Sequence, residues 1–368
     1  MMAELKDLLM DSMDGRAWMG KHRAVIGDCR ITEVSLPGSH DSATCEMEGH
    51  VANDDGGREI QSVRNKFGRW ASDPIVRRWC KTQPLSIRHQ LEAGVRYLDL
   101  RVGRDASQPS LDLALRTCHG FFSSPALGVI DQVASFVEAH PTELVLLDWN
   151  HLYGLDEASH RFLLDAIQER LSHVLVPRQE WLSPIADLLA ANRRVFNFYH
   201  SNHEESSKRF WTLPGSWCRS PWPNQNRWKG LEKRLDKILE DLPRMREEGE
   251  GVGGLEKEDK VHVLQGIVTE GRDEVIKGIV SMIVSACCIC APCLAKYTPC
   301  YAPSSIKHLA SDVNPKVTEL VVRRCGEGRK VNVVLLDWVT GWPDVSWIVE
   351  LNLGSAVKRE HEQGRRLI

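Results

Sequence analysis

Short apolar runs alternate with amphipathic stretches along most of this chain, and that alternation restricts the fold more than any other feature of the sequence. The runs at 31–36, 95–102, 115–119, 144–149, 195–199, 261–268 and 331–339 are rich in Val, Leu, Ile, Phe and Tyr. Several are continuous enough to be strands buried on both faces. Between them, 130–140, 157–175, 184–192 and 231–242 carry apolar residues at three- and four-residue spacing, as helices do when they cover a sheet with one face. Strands alternating with helices predict a parallel α/β architecture, whose closed form is a TIM-type (β/α) barrel of eight strands. Seven strands are visible, and an irregular eighth stays open.

The 368 residues, 42% of them hydrophobic, suffice for one large domain. The predicted organisation is an N-terminal extension (1–30), the barrel (31–340) and a C-terminal tail (341–368). A formal charge of -3 gives no electrostatic footprint for nucleic acid. The first thirty residues are polar and lack an apolar core like that of a secretory signal, which predicts a cytoplasmic protein, peripheral at most to membranes. Eleven cysteines, five of them between 287 and 300, lack the even spacing of a stapled scaffold and read as free thiols.

Two insertions interrupt the rhythm. Residues 58–81 are basic and contain Trp70 and Trp79, which predicts a loop that is either solvated or in contact with a membrane surface. Residues 275–295 are apolar almost all round and run into Cys287, Cys288, Cys290 and Cys293. Pro292 cuts this segment short of the roughly 30 Å needed to cross a hydrocarbon core. A buried helix with reduced cysteines, interfacial contact with or without acylation, and thiolate metal binding all remain open for it.

Chemistry concentrates where β-rich runs end: His40-Asp41, Asp99-Leu100-Arg101, Cys118-His119-Gly120 and Asp337-Trp338. In a parallel barrel, strand ends converge on one face. Two histidines that exchange protons near neutral pH suit a reaction in which one atom loses a proton and another gains one. Arg101 adds a permanent cation with paired planar donors, matched to phosphate better than to a carbonyl. Asp41, Asp99 and Asp337 are carboxylates able to orient the histidines and fix their tautomers. The same residues also admit blander roles: a helix cap at Asp41, an ion pair on one strand face for Asp99 and Arg101, a strand cap at Asp337.

The run Leu36-Pro37-Gly38-Ser39-His40-Asp41-Ser42 resembles the opening signature of the phosphatidylinositol-specific phospholipase C X domain. Residues 90–101, Cys118-His119-Gly120, 140–148, Val263-Leu264-Gln265-Gly266 and 331–337 match the same family in order, so the resemblance covers roughly 31–340. Within the family the chain is most similar to the X-domain-containing proteins that lack the modules of the large signalling enzymes. The resemblance implies a distorted TIM-type barrel acting on a membrane phospholipid. His40 would be the base on the inositol 2-hydroxyl, and His119 the acid on the leaving diacylglycerol oxygen. Asp337 would orient His40, Asp41 would assist the acid, and Asp99 would hold nearby polar groups. Arg101 stands where the calcium-dependent branch has an acidic ligand, so the arrangement resembles the metal-independent bacterial one, and no essential calcium, other metal or cofactor is expected.

Asp148, Asn150, Tyr199 and Gln265, at or near strand ends, are expected to line the mouth and bind head-group hydroxyls, with His151 and Asn197 nearby. Trp217 and Trp222 are expected either to form a rim that meets lipid or to pack on the barrel. The charged set with which bacterial members grip inositol is not seen. A phosphoinositide-binding module with little or no activity, and a phosphodiesterase of the same fold acting on another diester, stay open, as does the oligomeric state.

Overall fold

The computed structural model describes residues 15–201, 203–204, 217–242, 260–269 and 305–354. Seven parallel strands form the barrel: β1 (Leu36–Ser39), β2 (Tyr97–Arg104), β5 (Val145–Tyr153), β6 (Val195–Tyr199), β7 (Cys218–Arg219), β8 (Val261–Gln265) and β9 (Val333–Leu336). Their ladder runs β6-β5-β2-β1-β9-β8-β7, and no described pairing joins β6 to β7. β3 (Leu115–His119) and β4 (Phe121–Pro125) form an antiparallel hairpin on the far end of β2. The distorted, single-domain TIM-type barrel expected from the sequence is the fold observed.

Side chains alternate across the strands as the period of two requires. Leu36, Tyr97, Leu146, Phe196, Phe198, Val263, Val333 and Leu335 fill the barrel. Leu98, Leu100, Val145, Leu147, Val195, Val334 and Leu336 face outward, onto the helices Ala126–Ala139, Glu157–Leu171, Trp228–Asp241 and Ile306–Gly326. The alternate patterns explain why the strands read as unbroken apolar runs.

The N-terminal end of the barrel is closed by residues 15–30, which the sequence placed ahead of the domain. Trp18, Met19 and Ile26 are buried with the barrel interior, and Trp18 Nε1 donates to Gly94 O at 3.0 Å. The fully buried Arg96 donates to Glu143 Oε2 at 3.1 Å, to the carbonyls of Leu91 and Val95 at 2.8 Å, and to Gly15 O at 2.9 Å. Glu143 in turn accepts from Met19 N and Gly20 N at 3.1 and 2.9 Å. The buried Arg96 and Glu143 charges thus answer each other, as burial demands. At the other terminus Val345, Ile348 and Val349 are also buried, so 341–354 packs on the barrel.

Two local expectations are corrected. Residues 31–33 are a 3-10 turn and the strand begins at Leu36, taking the Pro37-Gly38 pair inside it. Pro-Gly normally marks a turn, but here Gly38 faces an interior so tight that a Cβ would sit 3.0 to 3.2 Å from Val333, Leu335 and Tyr97. Residues 58–81 are not a loop but two helices, Asp55–Phe67 and Arg69–Cys80, joined at Gly68 (φ 79). Asp54 caps the first by accepting from Gly57 N at 2.8 Å, and Ile60 and Val76 anchor the pair on Phe121. Residues 275–300 lie outside the described residues.

The Arg96–Glu143 plug generates the first prediction. Glu143→Ala, which leaves a buried guanidinium short of its counter-charge, is expected to cost about 3–5 kcal/mol of stability, read as a lowered urea midpoint at unchanged slope.

Candidate active site

β1 and β9 pair in register, Ser39 opposite Leu336, so the next residue of each strand, His40 and Asp337, leave the sheet side by side. His40 N donates to Leu336 O at 3.0 Å, and its Nδ1 lies 2.8 Å from Asp337 Oδ1. That contact assigns the Nδ1 proton to the carboxylate and turns Nε2 the other way. There Nε2 meets Asp41 Oδ2 and Arg101 Nη2, each at 3.2 Å. A neutral ring accepts from the guanidinium; a protonated ring donates to the carboxylate.

Asp41 is the hub. It is 2% exposed, with Arg101 Nε 2.6 Å from Oδ1 and His119 Nε2 3.5 Å from Oδ2. Its backbone adopts φ 41, an expensive conformation for a side chain other than glycine. Its N–H donates to Asp99 Oδ2 at 3.1 Å, while Asp99 Oδ1 accepts from Asn150 Nδ2. Asp99 and Arg101 sit mid-strand in β2, with a bulge between Leu100 and Arg101, and both project to this side.

His119 arrives by a different route from the one expected. It ends β3, which runs antiparallel to β2, so the hairpin brings it back over the barrel mouth. Nδ1 lies 2.8 Å from Cys80 O; a carbonyl only accepts, which leaves Nε2 as the exchangeable position facing Asp41. The following Gly120 (φ 72) has no room for a side chain: a Cβ would stand 2.5 Å from Ile60 Cδ1. Its N–H donates to Asp54 Oδ2 at 2.6 Å. The two imidazole centroids are 6.1 Å apart.

Burial works against the His40 cation, but the Asp41 and Asp337 carboxylates prevail and push its pKa up to about 9. Burial likewise opposes the Asp41 anion, and there Arg101, His119 and His40 prevail, holding it below the usual carboxylate range. Asp99 goes the other way, raised by burial and by the neighbouring Asp41 charge. His151 is lowered by burial and Arg101.

Above this cluster opens a cavity of about 830 Å³. Of the residues singled out in the sequence, Asp99, Arg101, His119, Asp148, Asn150, His151, Gln265 and Trp222 line it. His40, Asp41 and Asp337 lie just beneath; the Trp222 ring, 40% exposed, sits 5.7 Å from the His40 ring. Tyr199 is a correction. It faces the outer layer, where its hydroxyl lies 2.8 Å from His160 Nδ1, because alternation along β6 gives the interior to Phe196 and Phe198. Asn197 shares that outward face and accepts from Trp149 Nε1 at 2.9 Å. Trp217 is buried, 5.5 Å from the Trp181 ring, and is no part of a rim.

Sequence reasoning missed His200, Arg219, Ser220, Tyr153 and Asp54, all of which line the cavity. His200 Nε2 is 2.6 Å from Asp148 Oδ1; burial opposes its charge, and Asp148 raises its pKa overall. Tyr97 donates its hydroxyl to the same carboxylate. The signal for His200 was its place one residue past a strand, the same offset as His40.

His40, Asp41 and Asp99 offer ligand atoms within 4.8 Å of one another, all buried. A cation placed there would compete with Arg101 for Asp41 and with the Asp41 N–H for Asp99. The donor set fits a guanidinium already present better than a second, divalent charge.

No protein-family model matches the chain. Among curated proteins, PI-PLC X domain-containing protein 2 of Homo sapiens is 28% identical over 267 residues, 72% of this chain and 80% of its own length. Variant-surface-glycoprotein phospholipase C of Trypanosoma cruzi is 28% identical over 352 residues, 90% of this chain and 84% of its own. Among solved structures, phosphatidylinositol-specific phospholipase C from Staphylococcus aureus aligns over 92% of this chain and 98% of its own, with a TM-score of 0.60 at 16% identity. The enzyme of the same name from Listeria monocytogenes aligns over 92% and 99%, with a TM-score of 0.56 at 16% identity. The fold is thus the barrel of the bacterial phospholipases C. The chain itself is a relative of the PI-PLC X domain-containing proteins.

The electrostatics give a signed expectation. The native state holds the His40 proton more tightly than the unfolded chain, where the pKa is about 6.5, so the stability from this group is fully present below that value and lost as pH rises through about 9. Asp337→Asn is expected to move the His40 titration, followed by proton NMR, to lower pH and to flatten the loss of stability over that window. A wild-type midpoint near 6.5 contradicts the geometry.

Proposed function

We propose that the chain is a phospholipase C that cleaves phosphatidylinositol-type lipids to diacylglycerol and a cyclic inositol phosphate, with no essential metal. The observation that carries this reading is the pair of imidazoles on one cavity with Arg101 and Asp41 between them. The comparisons support a phosphodiesterase of phospholipase C type at the level of the family; substrate and mechanism are those the family resemblance implies, and the geometry of the site is compatible with them.

In this scheme the phosphodiester enters over Arg101. An anionic oxygen draws the guanidinium, whose Nη2 then leaves His40 Nε2 and exposes it to the neighbouring hydroxyl of the head group. His40 acts in its neutral form, the minority form below about pH 9: it takes that proton, the hydroxyl oxygen attacks phosphorus, and His119 Nε2 protonates the departing diacylglycerol oxygen. Nucleophile and phosphorus share one molecule, so little orientational entropy is lost on attack. Arg101 neutralises developing charge on the phosphate, the task a divalent ion performs elsewhere. Asp337 steadies the imidazolium that forms on His40, and Asp41, facing His119 Nε2 at 3.5 Å, assists the acid. Asp148, Asn150 and Gln265, joined by His200, supply hydrogen bonds for head-group hydroxyls. Among the described residues no helix is long and apolar enough to cross a membrane, so contact with the bilayer is proposed as peripheral.

The test is release of water-soluble inositol phosphate from phosphatidylinositol vesicles, with EDTA or with calcium. EDTA-resistant release of a cyclic product is expected, with His40→Ala and His119→Ala each lowering it by about two to four orders of magnitude. Calcium-dependent release would overturn the metal-free scheme. No release in either condition would move the assignment to a different diester or to lipid binding alone.

A further inference from the structure

We infer that Gln83 is a positioning residue for the His40–Asp337 pair, its carboxamide tying the ends of β1 and β9 into one rigid unit. The inference rests on the reading of His40 as the base. Gln83 is fully buried. Its Nε2 donates to His40 O at 3.1 Å and to Leu336 O at 2.8 Å, and its Oε1 accepts from Val339 N at 3.0 Å. Both amide protons and the carbonyl are used, and every bond falls on His40 itself or within two residues of Asp337. A buried amide so placed works as a strut across two strands that have stopped pairing.

The neighbouring Thr82 completes the strut. Its carbonyl accepts from Trp338 N at 2.7 Å, and its hydroxyl donates to Asp41 O at 3.1 Å. Asp41 and Trp338, each following one member of the pair, hold φ of 41 and 57. Non-glycine residues keep such angles only where the surroundings over-determine them, and Thr82-Gln83 supplies that determination for both at once. Without it the two strand ends are free to relax, and a shift of about 1 Å suffices to lose a 2.8 Å contact between imidazole and carboxylate.

Gln83→Met keeps the volume and removes all three side-chain bonds. Thermal unfolding, a proton NMR titration of His40, and kcat and KM on phosphatidylinositol vesicles are measured for it, alone and with Asp337→Asn. The charged groups that face His40, namely Asp41, Asp337, Arg101 and His119, stay in place in the single variant, so a shifted titration reports their geometry. The expected result is a folded protein whose His40 midpoint drops toward about 6.5. Its kcat falls about 10- to 100-fold with KM within about threefold, and the loss shrinks below about threefold in the Asp337→Asn background. An unchanged midpoint and kcat in a folded variant, or equal losses in both backgrounds, would overturn the inference. If Gln83→Met does not fold, Gln83→Asn, which keeps a carboxamide one methylene too short to span the strands, is held to the same criteria. The titration needs no substrate. A shifted midpoint in a protein whose wild type releases no inositol phosphate therefore supports the positioning role and overturns the phospholipase reading alone.

Discussion

Parallel pairing of β1 with β9 is the constraint on which the site depends. The pairing closes the barrel's central ladder between strands separated by almost the whole described chain, and its register decides what stands beside His40. With Ser39 opposite Leu336, Asp337 is the neighbour. A slip of one residue would turn Asp337 to the other face and put an apolar side chain against the imidazole. The tight interior at Gly38, the carboxamide of Gln83 and the plug of residues 15–30 all serve to keep those two strands where they are.

Around that pair the protein buries an unusual amount of charge. Asp41, Asp99 and Asp337 meet Arg101, His40 and His119 in a region where none of the carboxylates is more than 5% exposed. Desolvation of so many ionisable groups is tolerable only if they answer one another, and Asp41 faces the guanidinium and both imidazoles at once. The consequence is chemical as well as structural. One histidine is biased toward its charged form, and the Asp41 carboxylate is already engaged by the guanidinium.

The residues that gather at the barrel mouth were largely legible in the chain. His40, Asp41, Asp99, Arg101, His119 and Asp337 were singled out because ionisable residues cluster where apolar runs end and fall within ordered family motifs, and the structure brings all six together. The walls were less legible. Tyr199 was misassigned and His200 overlooked because position at a strand end does not reveal which face a side chain takes; that follows from the phase of the alternation and from the strand neighbours. The helical pair at 55–80 was taken for a loop, since its polar composition hides how few apolar contacts, Ile60 and Val76 on Phe121, are needed to seat it.

What the sequence determined by itself was the barrel and which ionisable residues stand near its strand ends, because hydrophobic periodicity and residue identity are local properties. What only the tertiary structure decided was proximity: that Asp41 faces both histidines, that His119 comes back from an antiparallel hairpin, and that a glutamine 43 residues beyond His40 bonds to the ends of both β1 and β9. Those relations depend on strand register and on side-chain direction across hundreds of residues. No local pattern encodes them, because the free energy that selects them comes from the packing of the whole barrel.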